Sequence, residues 1–236
     1  MIALLAVNAA IGALLFVAGK RLGHWSFLVA AVAPALGFAW LMTQLGGVLD
    51  GRPVTQSFRW VPQLGLQIDL RLDGFSALMM LLITGLGVLV CIYASRYFDH
   101  EEPDSAARIA GLLVLFSAAM LLLVLADNLL ILYVGWELTT ISSYLLIGND
   151  HTDPRARAAA LQALLVTSMG GLVMLAGLVL LGEAAGTYRL SAILADPPSG
   201  TSVNVALVLI LVGAFTKSAR PSPRGARRGT GTAPTW

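Results

Sequence analysis

Apolar residues along this chain gather in seven long stretches almost free of charge, at 2–18, 25–45, 74–95, 109–126, 128–148, 158–182 and 203–219. A helix needs roughly 20 apolar residues to cross a hydrocarbon core ~30 Å thick. The pattern predicts an all-α integral membrane protein with seven transmembrane helices. One connection breaks the pattern. Between 46 and 73, Leu66, Ile68, Leu70 and Leu72 alternate with Gln67, Asp69, Arg71 and Asp73, which is the period of a strand. Phe58 to Val61 supply a partner, and Pro62 to Gly65 a turn, so a small external β-hairpin is expected, with an irregular loop as the alternative. Pro34 falls inside the second stretch and predicts a kink there.

Composition agrees with the pattern. Of 236 residues, 57% are hydrophobic and 12% charged, about half the charged share of a soluble domain. A soluble enzyme, a nucleic-acid binder and a disordered protein are poor readings. The first stretch has no basic residue before it and Lys20 and Arg21 after it. A secretory signal has the opposite order, so this stretch reads as a retained helix. If the loops alternate between two sides, one side receives Lys20, Arg21, Arg96, Arg108, Arg155, Arg157 and the tail arginines Arg220, Arg224, Arg227 and Arg228. The other receives Arg52, Arg59, Arg71 and Arg189. The positive-inside rule then places the N-terminus outside.

Little else in the loops suggests chemistry. Cys91 is the single cysteine, and His24, His100 and His151 all lie between stretches. No disulfide framework, metal site or cofactor is implied. The acids Asp99, Glu101, Glu102 and Asp104 in loop 96–108, and the run Asn149 to Asp153, read as solvated connections. From Ser218 the composition turns abruptly to Arg, Pro and Gly. Residues 220–236 are expected to form a disordered basic tail foreign to the rest of the chain, with only generic attraction to anionic lipid and no case for nucleic acid.

Charges inside the apolar stretches carry the functional signal. Glu137 lies nine residues into the fifth stretch, ~14 Å deep at 1.5 Å per residue. A buried acid costs ~2.5–3.5 kcal/mol even on insertion scales, so it faces the protein interior. It serves either ion movement or, protonated, an interhelical hydrogen bond. Lys217, in the seventh stretch, is its natural partner. On the same sequence it equally fits a lysine snorkelling to the interface. Asp127 reads as an N-cap for the fifth helix. Thr139, Thr140, Ser142 and Ser143 place hydroxyls near Glu137, free either to bind water or to bond their own helix. Gly170, Gly171 and Gly177 predict close helix packing.

The run Leu125-Ala126-Asp127-Asn128 through Leu132-Tyr133-Val134-Gly135-Trp136-Glu137-Leu138-Thr139-Thr140-Ile141-Ser142-Ser143 to Gly148 resembles the signature of antiporter-like membrane subunits. These are the large subunit of Mrp-type multisubunit Na+/H+ antiporters and the homologous proton-pumping subunits of respiratory complex I. Gly213-Ala214-Phe215-Thr216-Lys217-Ser218-Ala219 is similar to the family's lysine-bearing seventh helix, and Ile92 to Phe98 to the end of its third. The Leu-Thr-Thr that follows Trp136-Glu137 resembles the antiporter branch more than the complex I branch.

The resemblance covers roughly 1–219. It implies a partial antiporter-like bundle: an N-terminal part, 1–107, with helices 1–3 and the hairpin loop, then an incomplete first repeat, 108–219, with helices 4–7. It also implies that Glu137 and Lys217 form a charge relay, in which Glu137 stabilises the Lys217 ammonium and loss of that pairing releases the proton. The expected setting is the plasma membrane, with other antiporter subunits as partners and protons and Na+ as the transported ions. The expected role is transport, not enzymatic catalysis. A proton-translocating membrane component of NADH:quinone oxidoreductase is the alternative, and a non-transporting fragment that binds partner subunits is the third reading. Where the family continues with a broken helix after the lysine, this chain has Arg220-Pro221-Ser222-Pro223, so the chain by itself is not expected to transport.

Overall fold

The computed structural model describes residues 1–18, 22, 25–61, 66–98, 103–149 and 153–218. Lys20, Arg21, His24, the 62–65 turn, the 99–102 acids with His100, the 150–152 run with His151, and the tail lie outside the described residues. The elements are α1 (Ile2–Ala18), α2 (Trp25–Leu49), β1 (Val54–Val61), β2 (Leu66–Leu72), α3 (Gly74–Tyr97), α4 (Pro103–Leu125), α5 (Leu129–Ile147), α6 (Pro154–Ala185), a short α7 (Leu190–Ala195) and α8 (Thr201–Ser218).

The helix count differs from the expectation. Among the described residues six helices, α2 to α6 and α8, are long and apolar enough to span a membrane. The 17 residues of α1 give a length of ~25 Å, at the lower limit for crossing a hydrocarbon core. Even so, α1 runs the height of the bundle. The Ile2 amide donates to Oε1 of the hairpin's Gln56 at 3.0 Å. At the other end, fully buried Leu15 packs in a core with Cys91, Ala94 and Ala106. The six-residue α7 has no counterpart in the sequence reading, because a single amphipathic turn leaves no apolar run.

Long apolar side chains face outward, as they must in a helix bundle whose solvent is lipid. On α3, Leu78, Leu82, Leu86, Leu89 and Tyr93 are exposed at three- and four-residue intervals. Small and polar groups face inward. Thr84 and Asn8 are fully buried and bond their own helices, Thr84 Oγ1 donating to the Met80 carbonyl at 2.7 Å and Asn8 Nδ2 to the Leu4 carbonyl at 2.9 Å. Pro34 does not interrupt α2. It packs on α3 at Gly87, where an added Cβ would lie 3.1 Å from the proline's own.

The hairpin is longer than the sequence pattern suggested. β1 and β2 pair antiparallel from Val54↔Leu72 to Val61↔Leu66, with an irregularity between Arg59 and Val61. Its alternation is the cause of its placement. Leu70 and Leu72 point into a core with Leu41, Met80, Leu121 and Leu125, while Arg71 and Gln67 lie on the other face. Asp69 is the exception, a buried acid that accepts from Ser57 Oγ at 2.6 Å and from Arg189 at 3.1 Å. Its carbonyl also accepts the Asp127 amide at 2.8 Å.

That last bond begins a clasp joining the two halves of the bundle. Asp127 does not cap α5, contrary to the sequence reading. Asn128 does, its Oδ1 accepting the Leu130 and Ile131 amides. The Asp127 carboxylate instead accepts the Ser191 amide at 2.8 Å and its hydroxyl at 2.7 Å, while the Asp127 carbonyl accepts the Leu190 amide. It thereby satisfies the start of α7, whose own preceding residue, Arg189, makes no side-chain cap.

Candidate functional site

Glu137 sits at the middle of the nineteen-residue α5, where tertiary packing alone decides what its carboxyl meets. Behind it, α4 and α5 approach closely at Gly135, where a Cβ would stand 2.9 Å from the Leu123 backbone. In front of it is α6, and the contact point is Gly171. A side chain on Gly171 would bring its Cβ within 2.1 Å of Glu137 Oε1 and 3.7 Å of Trp136 Nε1. The carboxyl and the indole edge therefore fill the notch that the glycine leaves. Both of those polar atoms are buried and have no hydrogen-bond partner among the described residues. Native interiors leave few such atoms unpaired, so each calls for an explanation. One turn earlier, the Tyr133 hydroxyl interacts with the carboxyl.

Lys217 arrives from α8, in its last turn. Helices α6 and α8 are drawn together by small residues. A Cβ on Gly170 would lie 1.9 Å from Thr216 Oγ1, one on Gly177 2.6 Å from the Ala206 carbonyl, and one on Gly213 2.5 Å from the Gly170 carbonyl. Packing of Thr216 into the Gly170 gap fixes the register of its neighbour, Lys217. The lysine then crosses to α5. Its Nζ donates to the Trp136 carbonyl at 3.1 Å and to the Thr139 hydroxyl, and stands 4.1 Å from the centre of the Trp136 ring. Lys217 neither snorkels freely nor makes a direct salt bridge to Glu137: among the described residues the ion pairs are Arg52–Asp50, Arg71–Asp73 and Arg189–Asp69. The two charges remain within electrostatic reach of each other.

The hydroxyls near Glu137 take the second course open to them in the sequence. Thr139 and Thr140 donate to the Trp136 carbonyl at 2.7 and 3.1 Å, Ser142 to the Leu138 carbonyl, and Ser143 to the Thr139 carbonyl at 2.7 Å. Thr139 still accepts from Lys217, so its back-bond orients a lone pair toward the ammonium. Beyond the lysine lies a cavity of about 510 Å³ between α5, α6 and α8, lined among others by Thr140, Ser143, Tyr144, Gln162, Thr167 and Lys217.

Comparison with known proteins bears on this arrangement. Residues 126–221 match the family model described as "NADH:quinone oxidoreductase/Mrp antiporter, TM", and residues 60–107 match "NADH-Ubiquinone oxidoreductase (complex I), chain 5 N-terminus". The first match contains both Glu137 and Lys217. The chain belongs to the antiporter-like membrane subunits. Within this family it is similar to a probable K(+)/H(+) antiporter A/B subunit of Rhizobium meliloti, with 45% identity over 181 residues, 74% of this chain and 17% of the relative. A putative antiporter subunit mnhA2 of Staphylococcus haemolyticus is 33% identical over 204 residues, 85% of this chain and 25% of the relative. Among solved structures, the Mrp complex from Dietzia sp. DQ12-45-1b contains a chain with a TM-score of 0.77 and 32% identity, covering 90% of this chain and 23% of that one. Respiratory complex I from Thermus thermophilus with bound NADH shares the fold, with a TM-score of 0.70 and 24% identity over 90% of this chain and 42% of that one. The chain spans about a quarter or less of the length of these curated relatives.

Sequence reasoning singled out Glu137 and Lys217 but missed Trp136 and the specific function of Gly171 as the carboxyl's notch. A signal for the first was available, an indole beside the intramembrane acid. The second depends on where α6 crosses α5, and periodicity does not report that.

Proposed function

We propose that this chain is a proton-handling membrane component of a cation/proton antiporter, in which Glu137 and Lys217 carry a charge relay. The observation that carries the reading is the seating of Lys217 Nζ on α5, on the carbonyl of the residue preceding Glu137. A protonated lysine there is balanced by the carboxylate. When that balance is withdrawn, the ammonium is left in a poorly solvated site, and its proton passes toward the hydroxyl-lined cavity beside it. The cavity supports this course because its largely apolar lining includes the Gln162 amide and hydroxyl oxygens that, while donating to their own helices, can still accept from water.

The proposal extends to the setting. The protein resides in the plasma membrane with its N-terminus outside, assembled with other antiporter subunits. Na+ is the cation the resemblance implies, whereas the Rhizobium meliloti relative is named for K+, so exchange is measured with each. The test is Glu137→Gln and Lys217→Ala in the assembled antiporter, assayed by cation-driven proton movement in everted vesicles. Both variants should assemble and lose exchange at least tenfold. Wild-type exchange by Glu137→Gln would make the carboxyl a neutral hydrogen-bonding group and end the relay reading. The complex I branch is the second reading, favoured by the shared fold. Flavin and iron–sulfur proteins that copurify with the chain would select it.

A further inference from the structure

We propose that Trp136 is a positioning residue for the relay: its indole face seats the Lys217 ammonium and so sets how far the charge stands from Glu137. The inference rests on the relay reading and deepens it. Three contacts converge on one residue. The Trp136 carbonyl accepts from Lys217 Nζ, the ring face lies 4.1 Å from the same nitrogen, and the indole edge shares the Gly171 notch with the Glu137 carboxyl. A cation over an indole is held by the ring's negative face, most strongly where water is excluded. The carbonyl and the Thr139 hydroxyl give the ammonium directional partners, and the ring supplies attraction without a counter-charge. Such a seat holds the lysine beside the carboxylate without locking it into a contact ion pair. A relay needs that property, because a buried contact pair is costly to separate.

An alternative use of the same side chain is bulk. Trp136 is half-buried and packs beside Leu132 and Tyr133 on the core formed by Met174 and Leu178. Bulk depends on shape, whereas a cation seat depends on the electron density of the ring. Fluorination separates the two, since each fluorine drains the ring's negative face with little change of volume.

The experiment incorporates tryptophan and its mono-, di-, tri- and tetrafluoro analogues at position 136 alone, in the full antiporter assembly, and measures cation-driven proton exchange in everted vesicles. Lys217→Ala and Glu137→Gln run alongside. Exchange should fall stepwise along the series, by roughly three- to thirtyfold in all, with assembly and melting temperature unchanged. A flat series beside inactive Lys217→Ala and Glu137→Gln controls would overturn the seat and leave the relay standing. Controls that exchange at the wild-type rate would overturn the relay, and the seat with it. Trp136→Leu, which keeps apolar bulk and removes the ring, should match or exceed the loss of the tetrafluoro analogue. Full exchange by that variant also overturns the proposal.

Discussion

Gly170 and Gly171 are neighbours in the chain with opposite tolerances. A methyl on Gly171 meets the far end of a flexible side chain, the Glu137 carboxyl at 2.1 Å, which can rotate away. Gly171→Ala should therefore leave melting of the detergent-solubilised protein within about 0.5 kcal/mol of wild type. It should also displace the carboxyl and slow exchange roughly tenfold or more. A methyl on Gly170 meets Thr216 at Oγ1, Cγ2 and Cβ, at 1.9, 2.5 and 2.6 Å. Those atoms belong to a β-branched residue close to its backbone, so the helix itself must move. Gly170→Ala should cost about 1–3 kcal/mol, as overpacking does, read as a clear drop in melting temperature. Equal melting of the two variants would show that α6 and α8 are not held by this contact. At this scale the sequence was informative about which side chains matter and uninformative about their partners. Glu137 and Lys217 stand out because charge is rare in apolar runs. Their meeting at Trp136 follows from two glycine contacts on a third helix.

At the scale of elements, the junction of β2 and α3 is held by a capping box. Asp73 accepts the Ser76 amide at 3.0 Å, and Ser76 Oγ accepts the Asp73 amide at 2.7 Å. Burial pushes the Asp73 carboxyl up, but the Ser76 amide and hydroxyl, with Arg71, outweigh it and hold the group below its ordinary value. Its contribution is therefore present above the ordinary carboxylate range and is lost as pH falls through the depressed folded value, below about 4. Asp73→Ala should lower stability by about 1 kcal/mol at pH 7. The gap between variant and wild type should close as melting is followed from pH 6 down to pH 3. A gap independent of pH would mean that the carboxylate's charge plays no part in the cap. Strand alternation from Leu66 to Leu72 made this hairpin legible. Its clasp was not, because Asp127 looks like a local cap and caps a helix sixty residues away instead.

At the scale of the molecule, apolar runs located every long helix, since a bilayer sets a minimum apolar length for each. They could not show how the helices group. The cores divide α1 to α4 and the hairpin from α5 to α8. The structure sets which elements share an end. The N-terminus, the hairpin, the α4–α5 turn and α7 share one end, tied by the Gln56, Asp69 and Asp127 bonds. That end carries Arg52, Arg59, Arg71 and Arg189, whereas Arg96, Arg108, Arg155 and Arg157 lie at the other. The charge bias is the ground for the proposed orientation, with the hairpin end outside. Thr55 and Asp104 are exposed at opposite ends, and the one native thiol, Cys91, is buried. In a Cys91→Ala background, Thr55→Cys should react with an impermeant maleimide added to intact cells. Asp104→Cys should react only in everted vesicles; removing an acid there perturbs orientation little, because topology responds to Lys and Arg rather than to net charge. The result has a sharp alternative: if both thiols react from the same face, α3 does not bring the chain across as the bundle requires, and if both react only in everted vesicles, the outward placement of the hairpin and N-terminus fails with it.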